Sequence, residues 1–234
     1  TGFVFAAGLG TRLYPLTAEK PKALVRYKGK TLLDNTLDKM MTCGVSEVVV
    51  NVHHFPDMIM EAVRRHPYAG RIRISDERAY LRDTAGGLKF AEPFWWDSDL
   101  IVCYNVDILS DIDLSELVCH HVHSGADATL AVRNRLTQRY FLFGGEECAL
   151  CGWENIKTRE KILVRDVGVS RHLAFSGIHV INTALARRIP SVEKSSITRF
   201  YLDEAPSHRI LGYVHDSGAW QDVGKFQEYH RCLS

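Results

Sequence analysis

Phe3-Val-Phe-Ala-Ala-Gly-Leu-Gly-Thr-Arg-Leu-Tyr-Pro-Leu-Thr-Ala-Glu-Lys-Pro-Lys22 is the stretch whose reading decides the fold. The apolar run from Phe3 to Ala7 reads as a buried strand, and it empties directly into a loop holding Gly8, Gly10, Thr11, Arg12 and finally Lys22. Small residues at Ala6, Ala7, Gly8 and Gly10 let backbone N–H groups approach an anion, while Arg12 and Lys22 supply the fixed charge that a polyphosphate needs. Two familiar alternatives fail on spacing. A Walker loop requires G-x-x-x-x-G-K-[ST], and the dinucleotide fingerprint requires a third glycine where this chain has Leu13.

Outward from that loop, strand and helix signals alternate. Leu32, Leu33, Leu37, Met40 and Met41 recur at helical spacing until Gly44, and Glu47-Val-Val-Val-Asn-Val52 is a β-branched strand. Pro56 opens a helix through Arg65, Arg71-Ile-Arg-Ile-Ser75 is the third strand, a short helical piece spans 87–91, and Leu100-Ile-Val-Cys-Tyr104 is the fourth strand. A helix over 113–123 leads to the strand Ala128-Thr-Leu-Ala-Val132. Thereafter Tyr140-Phe-Leu-Phe143, Leu150-Cys-Gly-Trp153 and Lys161-Ile-Leu-Val164 read as short antiparallel strands. A strand over 174–181, a helix over 182–189, a strand over 210–215 and a last helix from Lys225 complete the pattern. The prediction is an α/β fold, a single-domain, Rossmann-like, doubly wound and mostly parallel sheet with a small inserted antiparallel region.

At 234 residues, with 29 Lys and Arg against 28 Asp and Glu, the chain can bury one sizeable core, and its net charge of +1 argues for neither nucleic acid nor an anionic membrane as partner. The six cysteines are scattered and read as reduced thiols, which together with the lack of a long apolar run predicts a soluble, cytoplasmic protein. Cys148-x-x-Cys151 has no second pair to complete a zinc site, and the histidines at 53, 54, 120, 121 and 123 have no partners at ligand spacing. The start at Thr1, without methionine, leads us to expect further residues in the gene product. No hexapeptide repeat is present, which argues against an acyltransferase β-helix.

The pattern A-A-G-x-G-T-R-x-x-P-x-T-x-x-x-P-K, from Ala6 to Lys22, resembles the signature of the sugar-1-phosphate nucleotidylyltransferases. Asp83-Thr-Ala-Gly-Gly-Leu88, Asn105-Val-Asp107 and Trp220-Gln-Asp-Val-Gly224 follow in that family's order, so the resemblance covers nearly the whole chain. It implies a glycosyltransferase-A-like nucleotidyltransferase fold, with a nucleotide-binding part over about 1–132 and a sugar-phosphate part over about 133–234.

The resemblance also assigns roles. Ala6, Ala7, Gly8, Gly10, Thr11, Arg12, Thr84, Gly86, Gly87 and Asn105 would bind the nucleotide, the adjacent glycines exposing backbone on which a base can lie flat. Asp107 and Asp222 would hold Mg²⁺, which takes one or two carboxylates plus phosphate oxygens. Lys22, Ser176 and Gly177 would meet the sugar phosphate, with the Ser176 side chain facing the sugar hydroxyls. Glu77 and Arg78 could reach the base or a phosphate. The family's E-K-P element has no clear counterpart; Arg165-Asp166-Val167 stands roughly where it should be, and Trp153, Asn155 and Lys157 of the insert could neighbour the sugar beside Ser176 and Gly177, each more often a structural residue.

The implied reaction is attack by a sugar 1-phosphate on the α-phosphorus of a nucleoside triphosphate, releasing pyrophosphate, with Arg12, Lys22 and Asp107 as the catalytic residues. A hexose or mannose 1-phosphate guanylyltransferase leads, followed by an N-acetylmuramic acid 1-phosphate uridylyltransferase or a phosphocholine cytidylyltransferase. A non-catalytic subunit that binds nucleotide sugars is the alternative of another class; it predicts loss of Arg12, Lys22, Asp107 or Asp222, and all four are present.

Overall fold

The central strand β1, Gly2–Phe5, is buried along its whole length, because helices cover both faces of the sheet it anchors. The computed structural model describes residues 1–166, 168, 170–225 and 229. In chain order β1 is followed by the small hairpin β2 (Arg26–Tyr27) and β3 (Lys30–Thr31), α1 (Leu32–Thr42), β4 (Val48–Val52), α2 (Pro56–Arg65), β5 (Ile72–Asp76), α3 (Asp83–Phe90), α4 (Glu92–Trp95) and β6 (Leu100–Asn105). Then come β7 (Ile108–Ser110), α5 (Leu114–Ser124), β8 (Ala128–Arg133), β9 (Arg139–Gly144), β10 (Ala149–Asn155) and β11 (Glu160–Leu163). The described chain finishes with β12 (Ser170–Asn182), α6 (Thr183–Ala186), α7 (Ile197–Glu204), β13 (Ile210–Val214) and β14 (Trp220–Asp222).

One mixed sheet runs β5-β4-β1-β6-β12-β8-β13-β10-β11, with β9 bonded to β10 and β12. Its first four strands are parallel, with Phe5 opposite Asn51 on one side and Asn105 on the other. The antiparallel strands expected as an insert are hydrogen-bonded into this same sheet. Two-residue periodicity splits the core. Val4, Val48, Val50, Val52, Val102 and Tyr104 face one layer with Leu33, Leu37 and Met40 of α1. Phe3, Phe5, Val49, Ile101 and Cys103 face the other, with Leu88 of α3, Trp95 of α4 and Tyr201 of α7.

Local sequence explains the framing helices. Thr31 caps α1 by accepting from the Asp34 N–H at 3.0 Å, and Asp34 returns the bond to the Thr31 N–H at 3.1 Å. Helix α3 begins at Asp83 rather than at Gly87, so the segment read as a connection is itself helical. Helix α7 was not foreseen, and the helix read over 182–189 shrinks to Thr183–Ala186. The last helix, expected from Lys225, lies outside the described residues apart from Tyr229, whose hydroxyl donates to the Arg26 carbonyl at 2.5 Å.

Candidate active site

The carboxyl ends of β1, β4 and β6 meet where an open parallel sheet forms its crevice. Asn51, the one polar residue of β4, organises this end: its Oδ1 accepts from the Ala6 N–H at 2.7 Å and the Ala7 N–H at 3.2 Å. The two alanine amides, expected to face an anion, are therefore taken up within the protein, although Ala7 still lines the crevice. Asn51 in turn donates from Nδ2 to Glu77 Oε1 at 2.8 Å. Glu77 is 1% exposed, and burial pushes its carboxyl up, with the Asn51 amide and then Arg82 pulling the other way.

After Ala7 the chain turns at Gly10, whose φ of 68° suits glycine and whose carbonyl accepts from the Thr17 hydroxyl at 2.9 Å. A one-turn helix over Thr11–Leu13 buries Leu13 and leaves Arg12 exposed at the rim. The loop then brings Lys22 back beneath Gly8, with Nζ 3.5 Å from where a Gly8 Cβ would stand.

Lys22 Nζ donates to Asp107 Oδ2 at 2.8 Å, both side chains nearly buried. Burial alone would raise the Asp107 carboxyl, but the Lys22 ammonium, its hydrogen bond and the Arg12 charge hold it below its ordinary value. Asp107 is thus a charged carboxylate at neutral pH. Asp222 reaches the same place through β14, which pairs antiparallel with β7 so that Asp222 stands opposite Ile108 and the Val223 N–H donates to the Asp107 carbonyl at 2.9 Å.

Between the carboxylates lies Gly224. A Cβ there would stand 2.4 Å from Asp107 Oδ2 and 2.8 Å from Asp222 Oδ1, so the two oxygens are no farther apart than the sum of those distances. Two carboxylates brought this close by a glycine at 224 are the kind of donor set that Mg²⁺ takes together with waters and phosphate oxygens, with Asp107 Oδ2 also accepting from Lys22 and Asp222 Oδ1 from the Gly224 N–H. Among the described residues no set of three or more His, Cys, Asp or Glu side chains is grouped for a metal.

Two pockets share Arg12. One, of about 450 Å³, is lined by Ala7, Gly8, Lys22, Asn51, Leu81, Asp83, Thr84, Asn105, Asp107 and Lys194, among others. The larger, of about 810 Å³, runs from Arg12 past Asp222 to the 135–139 loop and Lys225. Gly86 and Gly87 do not expose backbone to either. Both are buried; a Cβ on Gly86 would stand 2.1 Å from the Glu193 carbonyl oxygen and one on Gly87 would stand 2.7 Å from Glu77 Oε1, so they permit close packing. Thr84 faces the smaller pocket while its hydroxyl accepts from the Ile197 N–H at 2.8 Å, capping α7.

On the acceptor side, Ser176 is fully buried and its hydroxyl bonds His215 Nε2 at 2.7 Å, so its side chain does not face a sugar. Gly177, at φ 75°, lets Asn105 approach: a Cβ would meet Asn105 Nδ2 at 2.8 Å. Arg165 donates to the His208 carbonyl at 2.9 Å beside a different pocket, away from Asp107, and Val167 lies outside the described residues. Asn155 Oδ1 accepts from the Lys157 N–H at 3.1 Å and is structural, and Trp153 packs against the core.

The family model described as nucleotidyl transferase matches residues 1–144. The chain belongs to the nucleotidyl transferase family. This nucleotidyl transferase is 30% identical over 229 residues to the N-acetylmuramate alpha-1-phosphate uridylyltransferase of Caulobacter vibrioides, covering 94% of this chain and 90% of that one. It is 25% identical to a mannose-1-phosphate guanyltransferase of Yarrowia lipolytica, covering 97% of this chain but only 61% of that longer protein. Its fold matches a putative glucose-1-phosphate thymidylyltransferase from Bacillus anthracis with a TM-score of 0.82 at 16% identity, over 100% of this chain and 93% of that one.

Several residues of the nucleotidyl transferase site escaped the sequence reading. Asn51 had a signal, since a lone amide in a fully buried valine strand needs a partner. Lys194 and the 135–139 loop had none, because only the chain's path brings them to the crevice.

Proposed function

We propose that the chain transfers a nucleoside monophosphate from a nucleoside triphosphate to a sugar 1-phosphate, releasing pyrophosphate. The observation that carries this reading is the Lys22–Asp107 pair at 2.8 Å, with Asp222 across Gly224, at the junction of two pockets that share Arg12. One pocket suits the nucleotide and the other the acceptor, so the donor's α-phosphate and the acceptor phosphate would meet at Lys22. This divides the work between residues about 1–132 and about 133–234, with Lys194 crossing to the nucleotide side. The matched relatives support the acceptor class, since two of them are named for a sugar 1-phosphate.

Mg²⁺ held by Asp107 and Asp222 would supply charge neutralisation at the phosphates. The protein's own groups do the rest by position. Lys22 offers an ammonium, already fixed against Asp107, to phosphate oxygens that redistribute charge as the bond to the α-phosphorus changes. Arg12, exposed at the rim between the pockets, suits the departing pyrophosphate, with Gly8 and Gly10 keeping the loop free of side chains there. Asn51 holds Ala6 and Ala7 and so fixes the loop from below. Both substrates are anionic and the acceptor oxygen is already nucleophilic, so no general base is required.

This reading puts the protein in the cytoplasm; the free thiols at Cys43, Cys103, Cys119, Cys148 and Cys151 support a reducing compartment. Among the described residues no helix is long and apolar enough to cross a membrane. The test is pyrophosphate release by wild type and Asp222→Asn, alongside nucleotide titrations with and without Mg²⁺. Asp222→Asn should lose activity and the Mg²⁺ enhancement of nucleotide binding while still binding nucleotide. Full activity with unchanged Mg²⁺ dependence would leave Asp222 a turn residue whose carboxylate accepts from the Gly224 N–H.

A further inference from the structure

The larger pocket is far more basic than the chain as a whole. Among the described residues Arg12, Arg135, Arg139 and Lys225 line it against a single acid, Asp222, although the net charge of the protein is only +1. Arg135 is fixed in place: its guanidinium lies 4.1 Å over the Trp220 ring and donates to the Phe175 carbonyl at 3.0 Å, while Trp220 Nε1 donates to the Ser176 carbonyl at 3.0 Å. Arg139, at the start of β9, is exposed, and its side chain makes no hydrogen bond or ion pair within the described residues. The backbone of this loop is tied down, with the Thr137 N–H donating to the Tyr140 hydroxyl at 3.0 Å and the Ile156 N–H to the Gln138 carbonyl at 2.9 Å.

This cationic wall is more than the transferred phosphate can use. The reacting phosphate of the acceptor must lie at Lys22 and Asp107, which line the smaller pocket, whereas Arg135 and Arg139 line the larger one. Cations gathered along one wall repel each other and are retained against that cost when an anion fills the space. Guanidinium forks match a carboxylate in both charge and shape, and sugar hydroxyls much less well.

We propose that the acceptor is an acidic sugar 1-phosphate, whose second anionic group, a carboxylate, is bound at Arg135 and Arg139. The inference rests on the transfer reaction proposed above and narrows its substrate class. Selectivity would come from a charged hydrogen bond present with one acceptor and missing with the other, a difference of about 10- to 100-fold.

The experiment compares acceptors that differ by one carboxylate: glucose 1-phosphate with glucuronic acid 1-phosphate, and N-acetylglucosamine 1-phosphate with N-acetylmuramic acid 1-phosphate. Each is tested with all the common nucleoside triphosphates, and kcat/KM is read from pyrophosphate release. The acidic member of at least one pair should be preferred by about 10-fold or more, and Arg139→Gln should bring that ratio close to one through a raised KM for the acidic acceptor. Arg139→Lys should restore part of the preference. Turnover of neutral and acidic acceptors at equal rates would overturn this inference and leave the transfer reaction standing. An equal loss on both members in Arg139→Gln would assign Arg139 to a phosphate common to both reactions and overturn it as well. No turnover with any acceptor would remove the transfer reaction and this inference with it.

Discussion

Replacing Gly224 with alanine tests the geometry of the two carboxylates without touching either. The added methyl would stand 2.4 Å from Asp107 Oδ2 and 2.8 Å from Asp222 Oδ1, whereas ordinary contact begins at 3.4 Å. Gly224 has no left-handed φ, so its backbone accepts alanine and the strain falls on the side chains. Asp107 must shift by about 1 Å, which also stretches its 2.8 Å contact with Lys22. A displacement of that size at a reacting centre costs on the order of 100-fold in rate, or about 2.7 kcal/mol. The folding cost should be about 1–3 kcal/mol, the usual scale for overpacking. Steady-state pyrophosphate release gives the first number and urea denaturation the second. Activity within about threefold of wild type would refute the reasoning, because the carboxylates would then move freely around a side chain and their arrangement could not be the source of positioning.

Further variants probe the neighbouring groups. Lys22→Ala should lower kcat/KM by about 2–4 kcal/mol. It should also destabilise the fold at neutral pH by leaving Asp107 buried and unpaired; because the wild-type Asp107 carboxyl is held below 3.8, this deficit should shrink as pH falls through that range in urea titrations. Lys28→Ala, in the β2–β3 turn, should be neutral in the same assays, whereas Lys89→Ala loses bonds to the Arg187 carbonyl at 2.9 Å and Glu92 at 2.8 Å and should lower Tm with little change in kcat/KM. Asn51→Ala strips the Ala6 and Ala7 amides of their acceptor and should cost about 2–4 kcal/mol in urea denaturation. His179, buried among Phe5, Phe175 and Tyr201, is pushed down to about 3, so the unfolded chain takes up a proton that the folded protein refuses as pH falls below 6.5. Its contribution to stability is therefore intact above pH 6.5 and falls by about 2 kcal/mol by pH 5, and His179→Leu should flatten that part of the wild-type pH profile in urea titrations.

How much of this was legible depended on whether the signal was local. The buried run of β1, the glycine turn at Gly10 and the valine strand β4 are short-range features, and each element formed at its pattern, although β1 ends at Phe5 and leaves Ala6 and Ala7 to the loop. Asp107 and Asp222 are far apart in the chain, and the motif resemblance suggested a pairing that the β7–β14 ladder now explains. Gly86, Gly87 and Ser176 were harder, because sequence does not reveal what faces a small residue. A glycine that exposes backbone to a ligand and one that admits Glu77 or a carbonyl look alike, as do a serine aimed at a sugar and one bonded to His215. Helix α7 is only eight residues long, and its N-terminus is capped from a distance by Thr84, so no local start signal marked it.

The most direct test of the central reading is to follow the α-phosphorus itself. Nucleoside triphosphate labelled at the α-phosphate is incubated with purified protein, Mg²⁺ and the sugar 1-phosphate panel, and the labelled product is identified by mass. The account predicts that label enters a nucleotide sugar in equal amount to pyrophosphate released, only when a sugar 1-phosphate is present, that Lys22→Ala slows the transfer by roughly 30- to 900-fold, and that Asp107→Asn abolishes it. Release of labelled nucleoside monophosphate with no acceptor required, or no consumption of any triphosphate across the panel, would contradict it.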